Sequence, residues 1–157
     1  MSKTLAQISQ AGTSIWLDDL SRERMIDNGK SRSLKSLITE ESVVGVTTNP
    51  AIFSSSISQS LLYSDDLKAL ASKGYSAEQI ITELTCSDVA KACDLFREVF
   101  LASGGVDGRV SIEVDPRFAR DTKKTISQAR DLWKKIDRPN LLIKVPATIK
   151  AFLLSKL

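Results

Sequence analysis

Hydrophobic and polar positions alternate with a period of two in four short stretches of the chain, residues 15–19, 43–49, 109–115 and 140–148. Each is rich in Val, Ile, Leu or Thr and closes on polar or proline-containing sequence, which predicts four β-strands. The text between them changes to helical spacing. Residues 20–27 and 33–38 fill the first gap, 61–72 and 77–102 the second, and 122–136 the third. Ser76 with Gln79 forms the capping-box pattern of a helix start, and Ser103-Gly104-Gly105 suits the stop of that helix. The opening residues, 1–10, are polar and helix-prone. Strand alternating with helix implies a parallel sheet joined by crossovers.

Parity along each strand sorts its residues onto two faces. Ile15 and Leu17 oppose Trp16 and Asp18; Val44 and Val46 oppose Val43, Gly45, Thr47 and Asn49. In the third stretch Val110, Ile112 and Val114 oppose Arg109, Ser111, Glu113 and Asp115; in the fourth Leu141, Ile143 and Val145 oppose Leu142, Lys144 and Pro146. Every strand thus has one aliphatic face suited to lie under helices. The other face carries a polar or ionisable residue near its C-terminal end. Parallel α/β proteins place their sites at those ends, so Asp18, Asn49, Glu113 and Lys144 are expected to converge.

Composition removes much of the usual catalytic repertoire. The 157 residues contain no histidine, two cysteines and a net charge of only +3. Without imidazole there is no serine-histidine triad and no histidine-ligated metal site, so acid-base work falls to carboxylates, lysine, tyrosine or thiol. Basic residues are interleaved with acids, and the adjacent pairs Lys123-Lys124 and Lys134-Lys135 read as wet helix faces, so no nucleic-acid partner is expected. No stretch approaches the roughly 18 apolar residues of a membrane span, and the start lacks a signal-peptide core; a cytoplasmic protein is expected. Cys86 and Cys93 fall about two helical turns apart, too far for a disulfide, and read as free thiols facing the core. Trp16 and Trp133 read as core aromatics and Arg109 as a structural residue. Nothing in the sequence makes Tyr63 or Tyr75 catalytic.

Lys144 interrupts an aliphatic strand, Leu141-Leu142-Ile143-Lys144-Val145. An ammonium there must be paired or lose its proton. A neutral lysine amine attacks a carbonyl to form a Schiff base, whose iminium accepts electrons so that a carbon-carbon bond β to it can break. Two carboxylates complete such a site, one relaying protons during dehydration and one taking the hydroxyl proton that triggers cleavage. Glu113 and Asp18 can fill those roles, with Asn49 and Thr47 holding substrate hydroxyls. No cofactor and no metal are called for.

At these residues the chain resembles the transaldolases, in their long bacterial form, over about residues 5–148. The resemblance rests on four blocks in the family's order: Ser14 to Arg22 (SIWLDDLSR), Gly45 to Pro50 (GVTTNP), Gly108 to Arg117 (GRVSIEVDPR) and Asn140 to Thr148 (NLLIKVPAT). It implies a (βα)8 barrel, with Lys144 as the Schiff-base lysine, Glu113 as the acid-base acting through a water, and Asp18 as the base at the hydroxyl next to the scissile bond. Asn49 and Thr47 would line the dihydroxyacetone site. The implied reaction is a transferase step of the pentose phosphate pathway. It moves a dihydroxyacetone unit from sedoheptulose 7-phosphate to glyceraldehyde 3-phosphate, giving erythrose 4-phosphate and fructose 6-phosphate.

A barrel of this kind typically needs about 250 residues and eight strands, whereas four strands are legible here. The expectation is the N-terminal half of a barrel over 1–148, followed by a divergent apolar tail over 149–157 that reads as a frameshift or fragment end. Such a half barrel is expected to have impaired activity and to self-associate through its exposed edges. Two other readings stand beside it. One is an inactive fragment. The other is a phospho-accepting receiver-like module, suggested by Asp18-Asp19, Asp115 and Lys144 but opposed by the long gap after the second strand and by the unexplained Thr-Thr-Asn-Pro block.

Overall fold

The computed structural model describes residues 3–26 and 32–148; the expected tail, 149–157, lies outside the described residues. Four parallel strands, β1 (Ile15–Leu17), β2 (Val43–Val46), β3 (Arg109–Glu113) and β4 (Leu141–Lys144), form one sheet in the order β1-β2-β3-β4. Strands that follow one another in sequence are therefore neighbours in space throughout, as in a βα barrel. A doubly wound receiver would reverse direction at its first strand, and no such reversal occurs here.

Eight α-helices among the described residues accompany the strands: α1 (Lys3–Gln10), α2 (Arg22–Met25), α3 (Leu34–Glu40), α4 (Pro50–Gln59), α5 (Ser64–Ser72), α6 (Ala77–Leu95), α7 (Arg97–Ala102) and α8 (Thr122–Ile136). Short polar side chains start several of them by accepting an otherwise orphaned backbone N–H. Ser21 accepts from Arg24, Ser33 from Ser36 and Asp121 from Lys124, while Ser76 and Gln79 close the expected capping box. Helix α4 was not legible as apolar periodicity, because it is serine-rich. Its start is nonetheless written in Asn49-Pro50, where Asn49 caps the Ile52 N–H and Pro50 occupies the first turn.

The aliphatic faces of the strands meet the helices. Val110, Ile112, Val114 and Leu141 are buried there with Val89, Phe96, Leu132 and Ile136, and Ile15, Leu17 and Ile143 pack against them. Cys86 and Cys93 are free and buried in the same core. Strands β1, β3 and β4 follow the expected parity, but Val145, expected on the aliphatic face, lies past the end of β4 and is 41% exposed. Strand β2 departs from that parity, because Val43 and Val46 both enter the core while Val44 does not. The cause is a register irregularity: Ile15 pairs with Val43 but Trp16 pairs with Gly45, leaving Val44 as an extra residue. The Val44 carbonyl instead accepts from Gly108 N at 2.6 Å, just ahead of β3.

The opposite face of the sheet is more open, with Leu142 37% exposed. Trp16 lies on this face against Gly45, where an added Cβ would come within 2.5 Å of the indole. It is half-buried rather than a core residue. Trp133 also departs from expectation: it is 49% exposed, on the outer side of α8. The fourth strand is anchored at its start by buried Asn140, whose Nδ2 donates to the carbonyls of Cys93 and Gly108.

Candidate active site

Glu113 ends β3 and Lys144 ends β4, and the two are register partners in adjacent parallel strands. Residues paired this way project to the same side, so the side chains meet without any distortion of the backbone. Lys144 Nζ lies 2.6 Å from Glu113 Oε1, with about a third of each side chain exposed (35% and 31%). Of the two outcomes open to this lysine, pairing is the one observed. It is less deeply buried than its aliphatic flanks suggest, because it projects onto the open face of the sheet.

A second contact fixes the amine. Lys144 Nζ donates to Thr47 Oγ1 at 2.9 Å. Thr47 lies just past β2, where its backbone N–H continues the ladder by donating to Leu17 O at 2.8 Å. On its other side Ser111 Oγ donates to Thr47 Oγ1 at 3.0 Å, and the neighbouring Thr48 Oγ1 donates to the Ser111 carbonyl at 2.8 Å. The Thr47-Thr48 pair thus straddles Ser111 and ties the end of β2 to the middle of β3. Parity had put Ser111 on the polar face without giving it a role. The signal was its placement two residues before Glu113 on that face.

Two of the expected residues stand differently. Asp18 follows β1 directly and is exposed. Its neighbour Leu17 is the residue bonded to Thr47, so Asp18 is held at the same end of the sheet as the lysine. Asn49 uses Oδ1 to cap α4 at 3.0 Å from Ile52 N, so what it can offer a ligand is the donating Nδ2. The structure therefore brings Lys144, Glu113 and Thr47 into direct contact. It adds Ser111, and it sets Asp18 and Asn49 at the same strand ends.

The loop carrying Asp18 is held from behind by a buried network. Arg22 Nε donates to Asp88 Oδ1 at 3.0 Å and its guanidinium lies 4.4 Å from the Tyr63 ring centroid. Tyr63 Oη donates to the other Asp88 oxygen at 2.8 Å. Burial and the Asp88 carboxylate push the Tyr63 phenol well above its ordinary value, so it stays a donor. Tyr63 is accordingly a structural residue. Arg109 is structural too, with Nε donating to Gly105 O at 2.8 Å. Arg117 is held by Asp115 and Glu78, and the Asp115 carboxyl is pulled below its usual range by that guanidinium.

A cavity of about 860 Å³ lies on the other side of the strand ends, among α4, α6 and α8. It is lined by Phe53, Ile57, Ile81 and Leu132 and touches Glu113 and Asn49, but neither Lys144 nor Thr47. The chemical groups thus sit on the sheet's open face rather than in this apolar space. Among the described residues no three His, Cys, Asp or Glu side chains are grouped as a metal cage, and no helix is long and apolar enough to cross a membrane.

Residues 15–156 match the family model described as Transaldolase/Fructose-6-phosphate aldolase. The chain is 52% identical over 150 residues to a transaldolase of Acidothermus cellulolyticus, covering 96% of this chain and 39% of that protein. It is 54% identical over 145 residues to a transaldolase of Mycolicibacterium smegmatis, covering 92% of this chain and 38% of the relative. With that of Thermobifida fusca it shares 47% identity over 150 residues, 96% of this chain and 40% of the other. The chain thus spans about two fifths of the length of these relatives, their N-terminal part. With four consecutive parallel strands and the lysine-glutamate pair at their ends, the chain belongs to the transaldolase/fructose-6-phosphate aldolase family, whose fold is the TIM barrel.

Proposed function

We propose that this polypeptide carries the Schiff-base half of a transaldolase site, and that Lys144 is its nucleophile. The observation that carries the reading is the 2.6 Å contact of Lys144 with Glu113, made by register partners at the strand ends. Glu113 first takes a proton from the paired Lys144 ammonium, and the neutral amine then attacks the C2 ketone of a sugar phosphate such as fructose 6-phosphate or sedoheptulose 7-phosphate. Glu113, through a water, relays the protons that turn the carbinolamine into an iminium and release the ketone oxygen as water. Asp18 takes the proton of the C4 hydroxyl. The C3–C4 electron pair then moves into the iminium, and the aldose phosphate leaves. The lysine-bound enamine of dihydroxyacetone adds to the aldehyde carbon of glyceraldehyde 3-phosphate or erythrose 4-phosphate, and water hydrolyses the new iminium to free the product.

Thr47 and the Asn49 amide hold hydroxyls of the dihydroxyacetone unit in this scheme, and it needs neither metal nor organic cofactor. The setting is cytoplasmic sugar-phosphate exchange in the pentose phosphate pathway. Turnover by the 157-residue chain is weak in this reading, because phosphate sites of such barrels lie on loops of later strands than the four among the described residues.

The test combines two measurements on the purified chain. Borohydride reduction with fructose 6-phosphate is expected to leave a covalent three-carbon or six-carbon adduct on Lys144, while multiple turnover with erythrose 4-phosphate stays slow. Absence of any adduct contradicts the nucleophile, and brisk turnover contradicts the impairment.

A further inference from the structure

We propose that Ser111 is a positioning residue for Lys144 and acts through Thr47. The inference deepens the Schiff-base reading and rests on it for its functional meaning, but its physical content concerns only how the amine is held.

Nζ has four tetrahedral directions. One is its bond to Cε, and two are taken by Glu113 Oε1 at 2.6 Å and Thr47 Oγ1 at 2.9 Å. The fourth is then fixed by geometry. A neutral amine has two N–H groups, so it can keep both contacts while its lone pair points along that fourth direction. This works only while Thr47 acts as an acceptor toward the lysine. A hydroxyl has one hydrogen and two lone pairs. Thr47 Oγ1 receives the lysine on one lone pair and the Ser111 hydroxyl, 3.0 Å away, on the other.

Ser111 is itself buried and anchored. It is only 3% exposed, its backbone sits within β3, and its carbonyl takes the Thr48 hydroxyl at 2.8 Å. Thr47, by contrast, lies past the last paired residue of β2, where the β2–β3 ladder has ended at Val46 and Val110. Beyond that point the side chains of Thr47, Thr48 and Ser111 are what join the two strands. Removing the Ser111 hydroxyl leaves Thr47 Oγ1 without its tie to β3. The lysine then keeps one rigid partner in place of two.

The experiment reads the side-chain order of Lys144 by ¹³Cε relaxation in the substrate-free chain, with exposed Lys134 as the internal comparison. In Ser111→Ala and in Thr47→Val the order parameter of Lys144 is expected to fall toward that of Lys134, while Thr47→Ser, which keeps the hydroxyl, retains it. The double variant Ser111→Ala/Thr47→Val is expected to fall no further than Thr47→Val, because Ser111 has no route to the lysine except Thr47. Thermal unfolding confirms that each variant is folded. The borohydride trapping rate is expected to drop about tenfold in Ser111→Ala, as misplaced reacting groups do. An unchanged order parameter in Ser111→Ala, or additive losses in the double variant, overturns the proposal. If the order parameters respond but no variant nor the parent chain traps substrate, the positioning stands and the Schiff-base reading fails.

Discussion

Glu113 and Lys144 are register partners on adjacent parallel strands, and their side chains meet at 2.6 Å on the open face of the sheet. The relationship depends on nothing more than strand pairing. Any sequence that aligns Ser111 with Leu142 and Ile112 with Ile143 brings these two groups together. The lysine-glutamate pair therefore rests on the most regular part of the fold.

Gly45 lets Trp16 lie across β2. A Cβ at this position would come within 2.5 Å of the indole Cε2, so the ring must shift. Gly45→Ala is expected to destabilise the chain by roughly 1–3 kcal/mol, the usual range for forcing extra volume into a packed contact. Trp16→Leu is expected to recover part of that loss in the double variant. Urea unfolding checks both. A neutral Gly45→Ala would mean that the ring does not hold this position.

The Arg22–Asp88–Tyr63 network secures the segment that carries Asp18. Asp88 is fully buried between the guanidinium and the phenol. Removing Asp88 leaves the Arg22 guanidinium with Asp66 as its remaining carboxylate and takes away the acceptor of the Tyr63 hydroxyl, so Asp88→Ala is expected to cost about 3 kcal/mol. Tyr63→Phe removes one neutral donor and should cost about 1 kcal/mol. Chemical denaturation measures both. Equal losses would show that the charge pair has no special weight.

The buried thiols make the fold sensitive to alkali. Burial pushes Cys86 up to about 11 and Cys93 up to about 12 from an ordinary value of 9.0. In the unfolded chain both ionise near 9, while in the folded chain they hold their protons. Their contribution is therefore complete below about pH 9 and is lost as pH rises toward 11 and 12. In that window each thiol takes away up to roughly 1.4 kcal/mol per pH unit. Urea midpoints from pH 8 to 10.5 should fall, and a Cys86→Ala/Cys93→Ala variant should fall less steeply. An identical slope in the variant would place the alkaline sensitivity elsewhere.

Among the described residues β1 and β4 each pair on one side only, and Leu142 and Val145 beside the latter are 37% and 41% exposed. Open parallel edges recruit further strands. Sedimentation at tens of micromolar is expected to give species heavier than the 17.2 kDa chain, shifted toward monomer by Leu142→Lys. A clean monomer for the parent chain would contradict this.

Much of the site was legible in the sequence because strand parity is a local property. Asp18, Glu113 and Lys144 could be placed at strand ends from alternation alone, and β3 and β4 obey it residue by residue. The departures have local causes as well. Val44 is an extra residue in β2, and a bulge resets parity without leaving a mark in hydrophobicity. Helix α4 has Phe53 and Ile57 facing the core among its serines, too sparse a stripe to predict it. A core place is expected of Trp133 because large aromatics are usually buried, yet it lies on the outer side of α8, as the charged residues around it indicate. The Thr47–Ser111 tie joins residues 64 apart in the chain, and spacing along one strand cannot reveal it.

The central claim is that Lys144 is the nucleophile and Glu113 its proton relay. The most direct measurement is peptide mass spectrometry after borohydride reduction in the presence of fructose 6-phosphate, run in parallel on the parent chain, Lys144→Arg and Glu113→Gln. The reduced adduct is expected on the peptide containing Lys144 in the parent chain, none in Lys144→Arg, and adduct formation slowed by about 100-fold in Glu113→Gln, within the range for a general acid-base. An adduct that persists in Lys144→Arg, or one that forms at the parent rate in Glu113→Gln, would contradict the claim.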